Sequence, residues 1–203
     1  MKLYLASGNA HKVQEFQALA DASGRGIEII SAKSAGGMPH VVEDAGTFIG
    51  NATKKARALK AILPPDAWVL ADDSGLCVDA LDGAPGVESA YYAGPQGDSA
   101  ANLAKLVQTM RDVPDDRRAA HFVCVLVLIA GAGREQVFEG RCDGSLLHEP
   151  RGGAGFGYDP LFVPAGKSLS TAQMSEPQKN ALSHRGRAAR VLWDWIREIP
   201  KIS

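Results

Sequence analysis

The apolar run Trp68-Val69-Leu70-Ala71 ends abruptly in Asp72-Asp73-Ser74-Gly75, and Leu76-Cys77-Val78 follows at once. Two adjacent carboxylates repel each other, so few arrangements hold them against a strand-forming segment unless a cation or a proton offsets the repulsion. A buried strand that delivers acids to a ligand-facing edge is one such arrangement. A strand followed by a polar turn is another, since Asp, Ser and Gly all favour turns. The heptapeptide alone leaves both open.

With 203 residues, the chain is long enough for one large domain or two small lobes around a substantial core. The net charge of −1 gives no general attraction to nucleic acid or to anionic lipid, so neither is expected as a partner. Residues 1–10 lack a long apolar core and run into Ser7-Gly8-Asn9, so no signal peptide is expected. The most apolar run, residues 121–130, is far short of the ~20 residues that span a bilayer. Cys77, Cys124 and Cys142 are odd in number and contain no CxxC pair. They fit reduced, structural thiols in a cytoplasmic protein better than a disulfide framework or a zinc site.

Lys2-Leu3-Tyr4-Leu5-Ala6 reads as a short buried strand, broken at Ser7-Gly8-Asn9-Ala10-His11-Lys12, after which Val13, Phe16, Leu19 and Ala20 fall at helical spacing. The free N–H groups and dipole at such a helix start favour a phosphate, and Lys12 adds a full charge. An ordinary strand-to-helix turn with a solvated lysine fits equally, and the GxxxxGK[ST] spacing of a Walker loop is absent. Residues 27–30 suggest a second strand and residues 31–42 a loop. Thr47 is a plausible N-cap for a helix of about fifteen residues carrying Phe48, Ala52, Lys55 and Leu59, stopped by Pro64-Pro65. Glu43, just before it, is either a functional acid or a simple partner of the helix dipole.

Further on, Leu103, Leu106, Val107 and Met110 mark an amphipathic helix. Two β segments, residues 119–130 and 136–143, are joined by the hairpin-length loop Gly131-Ala132-Gly133-Arg134. The first is almost continuously apolar, as in a central strand buried on both faces. Residues 152–160 form a glycine-rich loop carrying Phe156 and Tyr158; it is either a flexible surface loop or a ligand loop whose ring stacks on a base. A last helical face, Ala181, Ala188, Leu192, Trp195 and Ile199, is interrupted by Ser183-His184-Arg185-Gly186-Arg187, near Lys179. These cations are either solvated or an anion-binding patch. The order of elements points to a mixed α/β fold.

An anion cradle with Lys12, a second lysine at Lys55, carboxylates at Glu43, Asp72 and Asp73, a glycine-aromatic loop and the pair His184-Arg185 are the parts of a nucleoside triphosphate site. Magnesium is the expected ion, because carboxylates are hard ligands, phosphates complete its octahedron and no Cys/His cluster competes.

Six segments in order now carry a resemblance: SGNxxK (7–12), ExxxTFxxNAxxKA (43–56), ADDSGL (71–76), PGVxSA (85–90), FGYDPxF (156–162) and SHRGRA (183–188). This set resembles the inosine triphosphate pyrophosphatase family, the Ham1-like purine nucleotidases, over nearly the whole chain. The resemblance implies one catalytic domain over residues 1–203. Its fold class would be α/β, a mixed elongated central sheet with flanking helices and two lobes around a central substrate cleft. The implied activity is magnesium-dependent hydrolysis of non-canonical purine nucleoside triphosphates (ITP, dITP, XTP) to the monophosphate and pyrophosphate, by a cytoplasmic homodimer. Such an activity cleanses the nucleotide pool and prevents misincorporation.

Carried over residue by residue, Ser7, Gly8, Asn9, Ala10, His11 and Lys12 would bind the triphosphate, supported by Lys55. Glu43 and Asp73 would hold magnesium, with Asp73 also the general base. Ser74 would contact substrate; Phe156, Gly157, Tyr158 and Asp159 would receive the base, Phe156 by stacking. Lys179, His184 and Arg185 would contact substrate, the last two reading the 6-oxo group. The chain departs from the family pattern at Tyr91, where an Arg commonly precedes the tyrosine, and at Gln173, where an acid is common. A phosphohydrolase for other nucleotides on the same fold, or a nucleotide-binding module without turnover, are the rival readings; a general base is superfluous in a pure binder.

Overall fold

The computed structural model describes residues 1–131 and 133–199. Ala132, in the expected hairpin loop, lies outside the described residues. Six strands form one sheet: β1 (Lys2–Leu5), β2 (Glu28–Ser31), β3 (Val69–Val78), β4 (Ala119–Ala130), β5 (Arg134–Leu146) and β6 (Phe162–Pro164), in the order β2-β1-β3-β4-β5-β6. β1 runs parallel to both neighbours, with Tyr4 and Leu5 opposite Val69 and Leu70, whereas β6 runs antiparallel to β5. The described helices are α1 (Ala10–Ala22), α2 (Phe48–Lys60), α3 (Ser99–Thr109), α4 (Glu176–Leu182) and α5 (His184–Glu198). This is the expected mixed α/β class, and β4 is an interior strand as its apolar run requires.

The chain divides into two compact units. The first holds Met1–Asp73, Cys124–Gly140 and the chain from Gly186; the second holds Ser74–Val123 and Arg141–Arg185. β3 passes from one to the other at the Asp73–Ser74 peptide bond.

In the first unit the two-residue period of the strands sorts side chains onto two faces. Leu3, Leu5, Leu70, Leu126 and Leu128 pack with Phe16 and Leu19 of α1 and with Ala189 and Leu192 of α5. Ala6, Val69, Ala71, Val127 and Ile129 pack with Ala52, Ala56 and Leu59 of α2. In the second unit Leu76, Val78, Phe122 and Leu146 form a core with Leu106 and Met110, closed by Tyr158, Leu161 and Phe162.

One open choice is decided and two local expectations change. The acidic doublet is not in a turn: β3 runs unbroken from Val69 to Val78, with Asp72 and Asp73 both buried inside it. A turn signal yields here because each acid finds an ammonium partner, described below. The expected helix over residues 178–199 is two helices, because Ser183 takes extended dihedrals (φ −64°, ψ 155°) that end α4 and leave His184 to start α5. β5 outruns residues 136–143 at both ends, and its last residues pair with β6, which no apolar pattern announces.

A buried arginine closes the second core. Arg118 is 2% exposed and donates from Nε to the Leu146 carbonyl (2.8 Å), from Nη1 to Met110 (2.7 Å) and Val113 (3.0 Å), and from Nη2 to Leu147 (2.6 Å). It satisfies the carbonyls at the end of α3 and the end of β5 at once. Arg118→Ala strands those acceptors, so a loss of about 3 kcal/mol in urea unfolding is expected. A loss under about 1 kcal/mol would mean that the carbonyls find other partners.

Candidate active site

Successive side chains of a strand point to opposite faces, so the two acids of β3 diverge. Asp72, on the α1 face, forms an ion pair with Lys12 and accepts a hydrogen bond from the Cys124 thiol at 3.2 Å. Asp73, on the α2 face, accepts from Lys55 Nζ at 2.6 Å, and the same ammonium donates to Glu43 Oε2 at 2.9 Å. The doublet is therefore two separate ion pairs, each tied to the helix that covers its face. This gives Asp72 a place that the sequence left open: it anchors Lys12.

Local sequence builds both partners. Lys12 sits in the first turn of α1, where Asn9 caps the helix by accepting from the N–H groups of His11 (2.9 Å) and Lys12 (3.4 Å), while Ser7 Oγ accepts from Asn9 N–H at 3.1 Å. A Cβ at Gly8 would meet nothing within 4 Å, so the space before this turn is open. Glu43 is held by α2. Thr47 caps that helix through Gly50 N–H (3.1 Å), Asn51 Oδ1 accepts from Ala45 N–H (3.1 Å), and Lys54 pairs with Asp44. A Cβ at Gly50 would lie 2.5 Å from Ala45 Cβ, so only glycine lets the loop fold down onto the helix.

Burial pushes the Asp73 carboxyl up to about 6, with the neighbouring Asp72 adding to the rise and Lys55 opposing it. Burial works against the Lys55 ammonium as well, yet Asp73 and Glu43 outweigh it and hold its pKa above the ordinary lysine value. Asp73 Oδ2 is buried and has no hydrogen-bond partner among the described residues. That orphaned oxygen and the nearby Glu43 carboxylate suit magnesium, which takes one or two protein carboxylates and fills its remaining positions with phosphate oxygens and water. Among the described residues no group of three or more His, Cys, Asp and Glu side chains could hold a metal ion.

The second unit gathers the other expected residues. Asp159 is buried in the glycine-rich loop, where its Oδ2 accepts from Lys179 Nζ (2.8 Å) and from Phe156 N–H (3.0 Å). Lys179 Nζ lies 5.1 Å from the Phe156 ring centroid and the Arg185 guanidinium carbon 5.7 Å from it. Arg185, 2% exposed, also donates to Ser74 Oγ at 3.2 Å. His184 is buried and stacks on Phe122, with centroids 4.7 Å apart and planes at 11°. Gly157 takes a positive φ of 62°, and Gly155 at 77° approaches Asp159 so closely that a Cβ would meet Oδ2 at 2.2 Å. Tyr158 belongs to the core: its ring packs in the second cluster, its hydroxyl donates to the Ser89 carbonyl (2.8 Å), and burial raises its phenol above the ordinary value.

Thus Lys12, Glu43, Lys55 and Asp73 lie with the Ser7–Lys12 turn in the first unit, and Ser74, Phe156, Asp159, Lys179 and Arg185 are linked in the second. Several supporting residues had no assigned role in the sequence reading. Cys124 is more than filler, since its thiol meets Asp72. Asn51 and Ser89 stood inside recognised motifs, and that was the available signal. Ser89 Oγ accepts from Leu76 N–H (2.9 Å). Of the two departures, Gln173 supplies the acceptor of a capping box to Ser170 N–H (3.1 Å), a task that glutamine and glutamate share. Tyr91 is exposed, and the Tyr92 ring lies 4.3 Å from Lys105 Nζ.

Because the folded protein binds the Asp73 proton more tightly than the unfolded chain, this group's contribution to stability is fullest below the ordinary 3.8 and is lost as pH rises through about 6. The expected readout is the Asp73 carboxyl carbon resonance of the metal-free protein, titrating with a midpoint near 6. Saturating magnesium should move that midpoint downward. A metal-free midpoint at or below 3.8 would contradict the raised value.

Known proteins share this arrangement of sequence and fold. The sequence model of the Ham1 family matches residues 3–195. A dITP/XTP pyrophosphatase of Opitutus terrae is 61% identical over 201 residues, covering 97% of this chain and 99% of the relative. A dITP/XTP pyrophosphatase of Streptomyces coelicolor is 43% identical, covering 98% of each. The solved structure of a HAM1 protein from Coxiella burnetii superposes with a TM-score of 0.85 at 34% identity, covering 98% of this chain and all of that one. With its motifs, its fold and the family match in agreement, the chain belongs to the Ham1 family.

Proposed function

We propose that this chain is a nucleoside triphosphate pyrophosphatase that hydrolyses non-canonical purine nucleotides, ITP, dITP and XTP, to the nucleoside monophosphate and pyrophosphate. The observation that carries the reading is Asp73, a buried carboxyl pushed up to about 6, with one oxygen on Lys55 and the other without a partner among the described residues. A buried carboxylate with a free oxygen is placed to hold a hard cation and to accept a proton from a water beside it. The names of the relatives support the substrate class.

In this reading the turn from Ser7 to Lys12 (Ser7, Gly8, Asn9, Ala10, His11, Lys12) and Lys55 take the triphosphate. An ammonium has three N–H donors, so Lys12 keeps two after pairing with Asp72. Glu43 and Asp73 hold magnesium, which when bound neutralises phosphate charge and polarises the phosphorus under attack. Asp73 accepts the proton of the attacking water. Ser74 and Lys179 contact the substrate, Phe156 stacks on the base within the loop Phe156, Gly157, Tyr158 and Asp159, and His184 and Arg185 contact the substrate and donate to its 6-oxo group. Purines with a 6-oxo group satisfy those donors. A 6-amino group leaves them unpaired, at ~1–3 kcal/mol for each buried donor. A homodimer in the cytoplasm completes the proposal. No described helix is long and apolar enough to cross a membrane.

An assay that resolves pyrophosphate from orthophosphate tests the reaction directly. Magnesium-dependent pyrophosphate release from ITP and XTP is expected, with much weaker release from ATP, whose 6-amino group leaves those donors unpaired. Orthophosphate as product, or equal rates on ATP, would refute the assignment. Asp73→Asn should fold normally and lose turnover by about a hundredfold or more, whereas near-normal rates would remove Asp73 from the chemistry. Arg185→Ala should lose preference for ITP over ATP; unchanged selectivity would exclude it as a base reader.

A further inference from the structure

The Asp159 carboxylate accepts from the Phe156 N–H, and its other contacts also come from within the second unit. Oδ2 takes the Phe156 N–H and Lys179. The Thr171 hydroxyl shares its single hydrogen between Asp159 Oδ1 (3.1 Å) and the Asp159 backbone carbonyl (2.9 Å), which also accepts from Ala172 N–H at 3.2 Å. Thr171 is 4% exposed and Asp159 5%, so neither contact competes with bulk water. The close approach of Gly155 shuts the other side of the carboxylate. An acid that could have faced a ligand is thereby turned into the loop. Two cations lie over the Phe156 ring, Lys179 and Arg185, and both carry donors and no acceptor.

We propose that Thr171 is a specificity-determining positioning residue: by holding the Asp159 carboxylate inward, it leaves donor groups to face the base beside Phe156. A 6-oxo purine presents an acceptor at that edge and adenine presents an amino donor, so the sign of the group offered by the protein decides between them. Without the Thr171 hydroxyl the carboxylate stays anchored through Oδ2 by Lys179 and the Phe156 N–H, but Oδ1 loses its donor and can accept from the amino group instead, relaxing the discrimination. This inference rests on the functional reading above, in which the Phe156 loop receives the base.

Thr171→Val removes the hydroxyl at nearly constant shape, and Thr171→Ser restores it. The first measurement is kcat/KM for dITP against dATP, read as pyrophosphate release. In the Val variant the ratio should fall by about tenfold or more, with KM for dITP raised and kcat for dITP within about twofold of wild type. The Ser variant should recover the wild-type ratio. An unchanged ratio in the Val variant, or a Ser variant that behaves like Val, overturns the proposal. The second measurement is amide hydrogen exchange at Phe156 in the nucleotide-free protein, which should quicken in the Val variant and slow again in the Ser variant; equal rates in all three overturn the claim that Thr171 holds Asp159. If the wild type releases no pyrophosphate from dITP, the functional reading has failed on its own. The ratio of dITP to dATP dissociation constants in the same three proteins then decides the role of Thr171.

Discussion

Lys55 is the side chain on which the first unit depends. Its ammonium lies between Glu43 and Asp73, two carboxylates that arrive from different parts of the chain. Removing Lys55 would leave both carboxylates without their shared cation, a loss that typically costs about 3–5 kcal/mol for a buried pair. The same compensation operates on the opposite face of β3, where Lys12 answers Asp72. A strand carrying two consecutive acids can stay straight and buried because the alternation of side chains sends each acid to a different helix, and each helix brings a lysine.

That arrangement sets the chemistry available. Asp73 is short of solvent and has one oxygen without a protein partner, a combination that raises proton affinity and leaves an acceptor for a hard cation. Asp72 is clamped by an ammonium and a thiol, which suits an anchor. In the second unit Asp159 plays a comparable structural part for Lys179 and the Phe156 amide. Adjacent or similar carboxylates thus acquire different tasks from their surroundings alone.

Much of this was legible in the residues. The strand-turn-helix of residues 2–22, the Thr47 cap, the amphipathic α3 and the apolar β4 follow from spacing and capping that act over a few residues. The six ordered motifs pointed to the family and to the candidate residues. Local patterns could not choose between a buried strand and a turn at residues 72–75, because the lysines that make a buried strand affordable there lie 60 and 18 positions away in sequence. They marked a polar interruption of the last helical face at residues 183–187 without showing that Ser183's extended backbone separates two helices there.

The sequence by itself determined which chemical groups this protein owns and which elements carry them: a helix start with Lys12, a loop acid at Glu43, the doublet at residues 72 and 73, and an aromatic glycine loop. Only the tertiary structure decided what each group is paired with. Tyr158 went to the core, Cys124 to Asp72, Thr171 to Asp159, and one oxygen of Asp73 to no protein partner among the described residues. The physical reason is that proton affinity, ion pairing and hydrogen-bond satisfaction depend on distance and burial, and these are set by residues far apart in the chain.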